Sequence, residues 1–285
     1  MKVTEPRIIF MGTPEFAVAS LKILVENRKN VVAVITAPDK PAGRGMKLRP
    51  SPVKIFATEN GIPVLQPEKL KDTSFLKDLL RLNAGLQVVV AFRMLPEEVW
   101  NMPRLGTFNL HASLLPQYRG AAPINRAIMN GEKETGVTTF FIEHTIDTGT
   151  IIFREKVKIG DNETAGELHD RLMVAGAGLV LKTVEAVRNG DYPRIPQHTL
   201  ICPGEKIHAA PKIFSDDCRI DWSLTAGQVY DHIRGLSPYP AAWTVLEFNG
   251  EASRQIKIFD SEKIEKNHGR KPGSVLTDGK TYLHV

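Results

Sequence analysis

LQVVVAF, residues 86–92, is the run on which the fold turns. Only Gln87 interrupts its apolar character. A strand with one wet face alternates apolar and polar side chains. A run this short and this continuous reads instead as a strand covered on both faces, as in the parallel sheets of α/β proteins. Its neighbours agree. Upstream, RIIFMG (7–12), NVVAVITA (30–37) and IPVLQ (62–66) read as strands. Between them, EFAVASLKILVEN (15–27) has helical period, with Thr13 as N-cap and Pro14 as first helical residue. SPVKIFATENG (51–61) opens on Ser-Pro and closes on Gly61, a helix with both signals, and 73–82 is also helical. Downstream come a short helix (96–100), a strand GTFNLHAS (106–113) and a helix APINRAIMNG (122–131). An antiparallel pair (138–142, 150–159) and a long helix (164–189) closed by Gly190 follow. Strand and helix alternating in this way predict an α/β fold for residues 1–190. The sheet should be doubly wound, Rossmann-like and mostly parallel, with ligands at the carboxyl ends of its strands.

The pattern changes after Gly190. Residues 191–208 are proline-rich without period and read as a linker. Residues 209–285 hold IDWSL (220–224), a helix (225–236) and four short strand-like runs between glycine turns. That pattern predicts a small OB-like β-barrel. The chain stops within the last run, so the expectation is an incomplete barrel.

Bulk properties exclude several classes. Of 285 residues, 42% are hydrophobic and 24% charged, which suits a globular enzyme or binding module. No apolar run reaches the roughly 18 residues a membrane helix needs, and the N-terminus has no signal-peptide pattern, so a cytoplasmic protein is expected. Cys202 and Cys218 stand in no metal-ligand or disulfide spacing, so neither a metal nor a disulfide framework is expected. The net charge of +5 says little alone. Its distribution says more: Lys40, Arg44, Lys47, Arg49 and Lys54 cluster in a Gly/Pro-rich loop opposed only by Asp39. Such a loop is either a solvated surface or a track for a phosphate backbone.

Asn109 and His111 lie two apart on a strand, so their side chains share a face near its carboxyl end. Asp147 stands in the turn IDTG (146–149). Together they offer an amide donor, a proton-transfer group and a carboxylate to orient or charge the imidazole. No nucleophile accompanies them: no cysteine is near in sequence and Ser113 is in no nucleophile elbow. Direct transfer between two bound substrates fits better than covalent catalysis. The Gly12-Thr13-Pro14 turn lacks the dinucleotide fingerprint, so no nicotinamide cofactor is expected. The histidines at 144, 169, 208 and 232 read as surface or packing residues, and Trp100, Trp222 and Trp243 as core.

SLLPQYRGAAPI (113–124), preceded by Asn-Leu-His and followed by IDTG, resembles the folate-dependent formyltransferase family. IIFMGTPEFA (8–17), PDKPAGRGMKLRPSPVK (38–54), IDWSL and SPYPAAW (237–243) extend the resemblance over nearly the whole chain, toward members that act on a tRNA-borne methionine. The resemblance implies 10-formyltetrahydrofolate as co-substrate, methionyl-initiator-tRNA as acceptor, no metal, no membrane and a monomer. It implies that Asn109, His111 and Asp147 are catalytic. Phe92, Arg93, Met94 and Leu95 would line the pterin pocket, and Ser113, Leu114, Leu115, Pro116 and Ile142 would contact folate. Arg119 would hold its loop, pairing with a carboxylate. Lys40, Arg44, Lys47 and Arg49 would meet tRNA. The alternatives are a formyltransferase acting on a nucleotide-sugar or ribonucleotide amine, and a non-catalytic RNA-binding relative.

Overall fold

The computed structural model describes residues 5–42, 47–247, 252–264, 266 and 269–285. In chain order the elements begin with β1 (Ile8–Gly12), α1 (Glu15–Glu26), β2 (Val31–Ile35), β3 (Lys40–Ala42), β4 (Lys47–Arg49), α2 (Pro52–Glu59), β5 (Val64–Leu65), α3 (Thr73–Arg81) and β6 (Leu86–Val90). Next come α4 (Glu97–Trp100), β7 (Thr107–His111), β8 (Arg119–Gly120), α5 (Pro123–Met129), β9 (Glu134–Phe141), β10 (Ile151–Lys158) and α6 (Ala165–Asn189). The last are β11 (Ala209–Ala210), α7 (Ala226–Leu236), β12 (Ala242–Leu246), β13 (Arg254–Ile258), β14 (Leu276–Thr277) and β15 (Leu283–His284).

Seven strands make one sheet in the order β10-β9-β7-β6-β1-β2-β5. β1 pairs in parallel with β2 and β6, β2 with β5, and β6 with β7. β9 adds antiparallel to β7. Every residue of β1 and β6 is buried, as continuous apolar runs require. On one face, α1 packs against β1 and β6, and α2 against β2. On the other, Phe75 and Leu79 of α3 and Val99 of α4 join Ile9, Met11, Ala33, Ile35 and Val89 in one core. Each of these side chains other than Ala33 contributes about 1.5–3 kcal/mol when taken out of water. The chain runs outward from β1 to β5, then returns to β6 on the other side of β1. That reversal makes the β1/β6 boundary a topological switch point, where ligands bind at the carboxyl ends.

One helix start differs from expectation. Pro14, not Thr13, is the N-cap of α1, in an extended conformation with ψ 175° and no side-chain cap bond. The hydroxyl of Thr13 therefore sits one residue too early to cap. α2 behaves as read: the Ser51 hydroxyl accepts from Lys54 N at 3.1 Å, with Pro52 in the first turn.

The chain separates into two compact units. One comprises Met1–Gly120, Gly136–Val157 and His169–Ala209, the other Ala121–Thr135, Lys158–Leu168 and Ala210–Val285. The expected division at 190 and 208 is corrected in two places. α5 belongs with the later unit, because its partner is α7: Asn125 Nδ2 donates to Gly235 O at 2.8 Å. And residues 191–208 are not a free linker. Ile195 and Ile151 exchange two backbone hydrogen bonds, and a short 3-10 helix, Gln197–Leu200, follows with Gln197 buried.

Within the second unit a capping box of Thr225 and Gln228 starts α7. Its Val229, Ile233 and Leu236 share a core with Cys218, Ile220 and Ala242, and Trp222 and Trp243 pack against it. The strands here pair antiparallel as β12–β13 and β14–β15. The expected OB-like barrel is represented, among the described residues, by these two separate ribbons. No described helix is long and apolar enough to cross a membrane.

Candidate active site

β7 carries Asn109 and His111 beside β6, at the carboxyl end of the sheet. The residue between them fixes their direction. Leu110 pairs with Thr139 of β9, whose hydroxyl lies 2.8 Å from Thr183 on α6. A Cβ added to Gly176 of α6 would stand 2.7 Å from Leu110 Cδ2, so helix and strand approach closely there. Leu110 thus faces α6, and strand alternation turns Asn109 and His111 to the opposite face. The half-buried Asn109 carboxamide has no hydrogen-bond partner among the described residues.

His111 is buried, and its two ring nitrogens are differently employed. Nε2 lies 2.8 Å from the Tyr118 carbonyl oxygen. A carbonyl can only accept, so Nε2 carries a proton and donates it. The other ring nitrogen, Nδ1, stands 4.0 Å from Asp147 Oδ2. The same carboxylate oxygen accepts from Gly120 N at 3.0 Å.

Asp147 holds a left-handed backbone, φ 54°, which is unfavourable for a residue with a side chain. Its surroundings compensate. Gln197 Nε2 donates to the carbonyls of Asp147 and Gly149 at 2.8 and 2.9 Å. Gly149 is needed for close approach, since a Cβ there would fall 1.7 Å from Phe141 O. Gly149→Ala is expected to cost about 3 kcal/mol in overpacking and to displace Asp147. A depressed melting temperature together with a lowered turnover number would show both effects.

The sequence matches the family described as Formyl transferase over residues 6–184, and its C-terminal domain over 212–285. The chain belongs to the formyl transferase family. The methionyl-tRNA formyltransferase of Bacteroides fragilis is 56% identical over 285 residues, covering 100% of this chain and 88% of that protein. Two solved structures share the fold at lower identity. A sugar N-formyltransferase from a Shewanella species has a TM-score of 0.66 at 18% identity, over 92% of this chain and 100% of that one. HypX from Aquifex aeolicus in complex with tetrahydrofolic acid has a TM-score of 0.61 at 20% identity, over 96% of this chain and 40% of that one.

Of the residues this formyl transferase was expected to place around folate, some gather and some do not. Phe92, Leu95 and Ile142 lie against the core of Ile9, Met11 and Val89, below the switch point. Met94 is 76% exposed. Arg93 is fastened elsewhere, donating to Glu68 O at 2.7 Å and to Pro67 O; burial lowers its pKa from the usual arginine value. In the turn after β7, Ser113 and Leu115 are fully buried, Pro116 is buried and Leu114 half-buried. Thr138 Oγ1 donates to Ser113 O at 2.6 Å and accepts from Leu115 N at 3.2 Å, while Arg154 donates to Leu115 O. Ser113 and Leu115 therefore build the turn rather than present side chains at its surface.

The basic loop is a β-ribbon instead. β3 and β4 pair antiparallel, Lys40 opposite Arg49. Both side chains are exposed, with no ionic partner among the described residues. Lys47 lies on β4, and Arg44 falls outside the described residues. The ribbon is tied at its base. Lys54 meets Asp39 at 2.6 Å and Gln66 donates to the other carboxylate oxygen at 2.8 Å. These two donors, Lys54 foremost, hold the Asp39 carboxyl below the usual carboxylate range.

Two further features escape sequence reasoning. Among the described residues Arg119 pairs with no carboxylate; it donates twice to the amide oxygen of Gln197, at 3.1 and 2.6 Å. Tyr118, whose carbonyl holds His111, takes its own position from His208: Tyr118 N donates to His208 O at 2.7 Å. Both supports come from 191–208. The only cue in the sequence is a glutamine and a histidine within a proline-rich stretch, which has no period to interpret.

Proposed function

We propose that this protein transfers the formyl group of 10-formyltetrahydrofolate to the free amino group of methionyl-initiator-tRNA, supplying translation initiation. What carries the reading is likeness along the entire chain to a methionyl-tRNA formyltransferase, accompanied by an intact Asn109, His111 and Asp147 grouping at the ligand edge of the sheet.

The chemistry follows from the groups. An α-amino group has a pKa of about 7.7–8.0, so a usable fraction is neutral near physiological pH. Its nitrogen attacks the formyl carbon, a C–N bond forms, and the formyl oxygen becomes an oxyanion. The Asn109 amide, which has no hydrogen bond among the described residues, and protonated Nδ1 of His111 donate to that oxygen. Asp147, held by Gly120 N, opposes the imidazolium charge. Collapse breaks the bond from carbon to folate N10. The amine gives up one proton and N10 takes one, with His111 Nδ1 as carrier. Phe92, Leu95 and Ile142 form the apolar floor on which the pterin packs.

The ribbon supplies the acceptor's backbone contacts through Lys40, Arg44, Lys47 and Arg49. The double variant Lys40→Glu with Arg49→Glu should raise KM for charged tRNA with little change in kcat. It should also flatten the dependence of log KM on log salt by about 2, one unit per lost phosphate contact. An unchanged salt slope would remove the ribbon from the tRNA interface. For the whole reading the test is transfer from 10-formyltetrahydrofolate to charged initiator tRNA. Transfer only to an amino-sugar nucleotide or a ribonucleotide amine would overturn it.

A further inference from the structure

We infer that Gln197 is a positioning residue for Asp147, and that residues 191–208 serve the active site as its outer support. This rests on the formyl-transfer reading above.

Gln197 is 3% exposed, in a stretch that is otherwise open at Asp191, His198 and Thr199. A buried carboxamide must be satisfied at both ends or it destabilises the fold. Here both ends are used. Nε2 donates to the carbonyls of Asp147, whose backbone is left-handed, and of Gly149 two residues on. Oε1 accepts two hydrogen bonds from Arg119.

Arg119 is followed directly by Gly120, whose N–H holds the Asp147 carboxylate. The circuit therefore closes. Gln197 grips the backbone of Asp147 on one side. Through Arg119 it also fixes the strand residue that grips the side chain. An aspartate with φ 54° would otherwise relax, and its carboxylate would leave the 4.0 Å approach to His111 Nδ1. A shift of about 1 Å in such a group costs up to about 100-fold in rate. Gln197 touches neither His111 nor any reacting atom, so its effect must travel through Asp147.

That route makes a sharp test. Gln197→Glu keeps the shape and the acceptor for Arg119, but sets an oxygen against two carbonyls. Gln197→Met removes both functions at similar volume. Each is expected to lower kcat by about 10- to 100-fold, with KM for 10-formyltetrahydrofolate and for methionyl-tRNA changed less than about threefold. In an Asp147→Asn background the same substitutions should lower kcat by less than about threefold, because the carboxylate they position is already absent. A residue that only stabilises the fold would give equal losses in both backgrounds. Arg119→Met reaches the same circuit from its half-exposed side and decides the matter if neither Gln197 variant folds. It should show a smaller loss of kcat with the same dependence on Asp147. Equal losses in both backgrounds, or wild-type kcat, would overturn the inference while the functional reading stands. Absence of transfer by the unsubstituted protein would remove the reading and the inference together.

Discussion

His111→Ala is expected to lower kcat by about 10²- to 10⁴-fold, the range for loss of a positioned proton-transfer group, while KM for both substrates changes little. The expectation follows from the two ring nitrogens. Nε2 is committed to the Tyr118 carbonyl, so Nδ1 alone is free to exchange a proton. Among the described residues the ion pair at Asp147 is the one with His111, so its removal takes the proton carrier from beside the carboxylate. The variant also leaves a buried carbonyl without its donor, a penalty of about 1–3 kcal/mol. Thermal melting must accompany the kinetics for that reason. A melting temperature lowered by a few degrees with kcat reduced a hundredfold or more is the expected pair. A lowered melting temperature with near-normal kcat would confine His111 to structure.

Asn109→Ala is expected to lower kcat by about 10²- to 10³-fold, the loss typical of one oxyanion donor. Here stability should hardly change, because the carboxamide has no hydrogen bond within the described protein to lose. This separates the two variants. Asn109→Ala should behave as a purely kinetic lesion, whereas His111→Ala carries a folding penalty as well. Asn109→Asp offers a second check: it replaces the donor by an acceptor that repels the developing oxyanion, so it should be at least as slow as alanine. If Asn109→Ala turned over at the wild-type rate, the amide would have no part in the reaction.

The central strands were legible because burial on both faces removes every reason for polarity. LQVVVAF and RIIFMG could hardly be anything else in an α/β sheet, and β6 and β1 are buried throughout. The pairing of Asn109 with His111 was legible for a similarly local reason, the two-residue repeat of a strand. What escaped was long-range or made by the backbone. The strands β3 and β4 of the ribbon are three residues each, too short to show a period; backbone bonds make it, and Asp39, Lys54 and Gln66 brace it from outside. The pairing of α5 with α7 joins residues 110 apart. Gln197 meets partners 50 and 78 residues away, in a stretch whose prolines suggested only a tether. Arg119 was expected to seek a carboxylate. Asp147 is instead engaged by Gly120 and faces His111, and a carboxamide takes the guanidinium.

In the proposed reaction Asn109, His111 and Asp147 pass a formyl group directly from folate to the methionine amine on tRNA. The most direct test follows isotope-labelled formyl from 10-formyltetrahydrofolate in a single turnover with saturating methionyl-initiator-tRNA, for the unsubstituted protein beside His111→Ala. Direct transfer puts label in the amide of the tRNA-borne methionine, leaves no labelled protein at any time, and makes the His111→Ala rate at least about 100-fold slower. Label held covalently on the protein before it reaches tRNA, or equal rates for the two proteins, would contradict it.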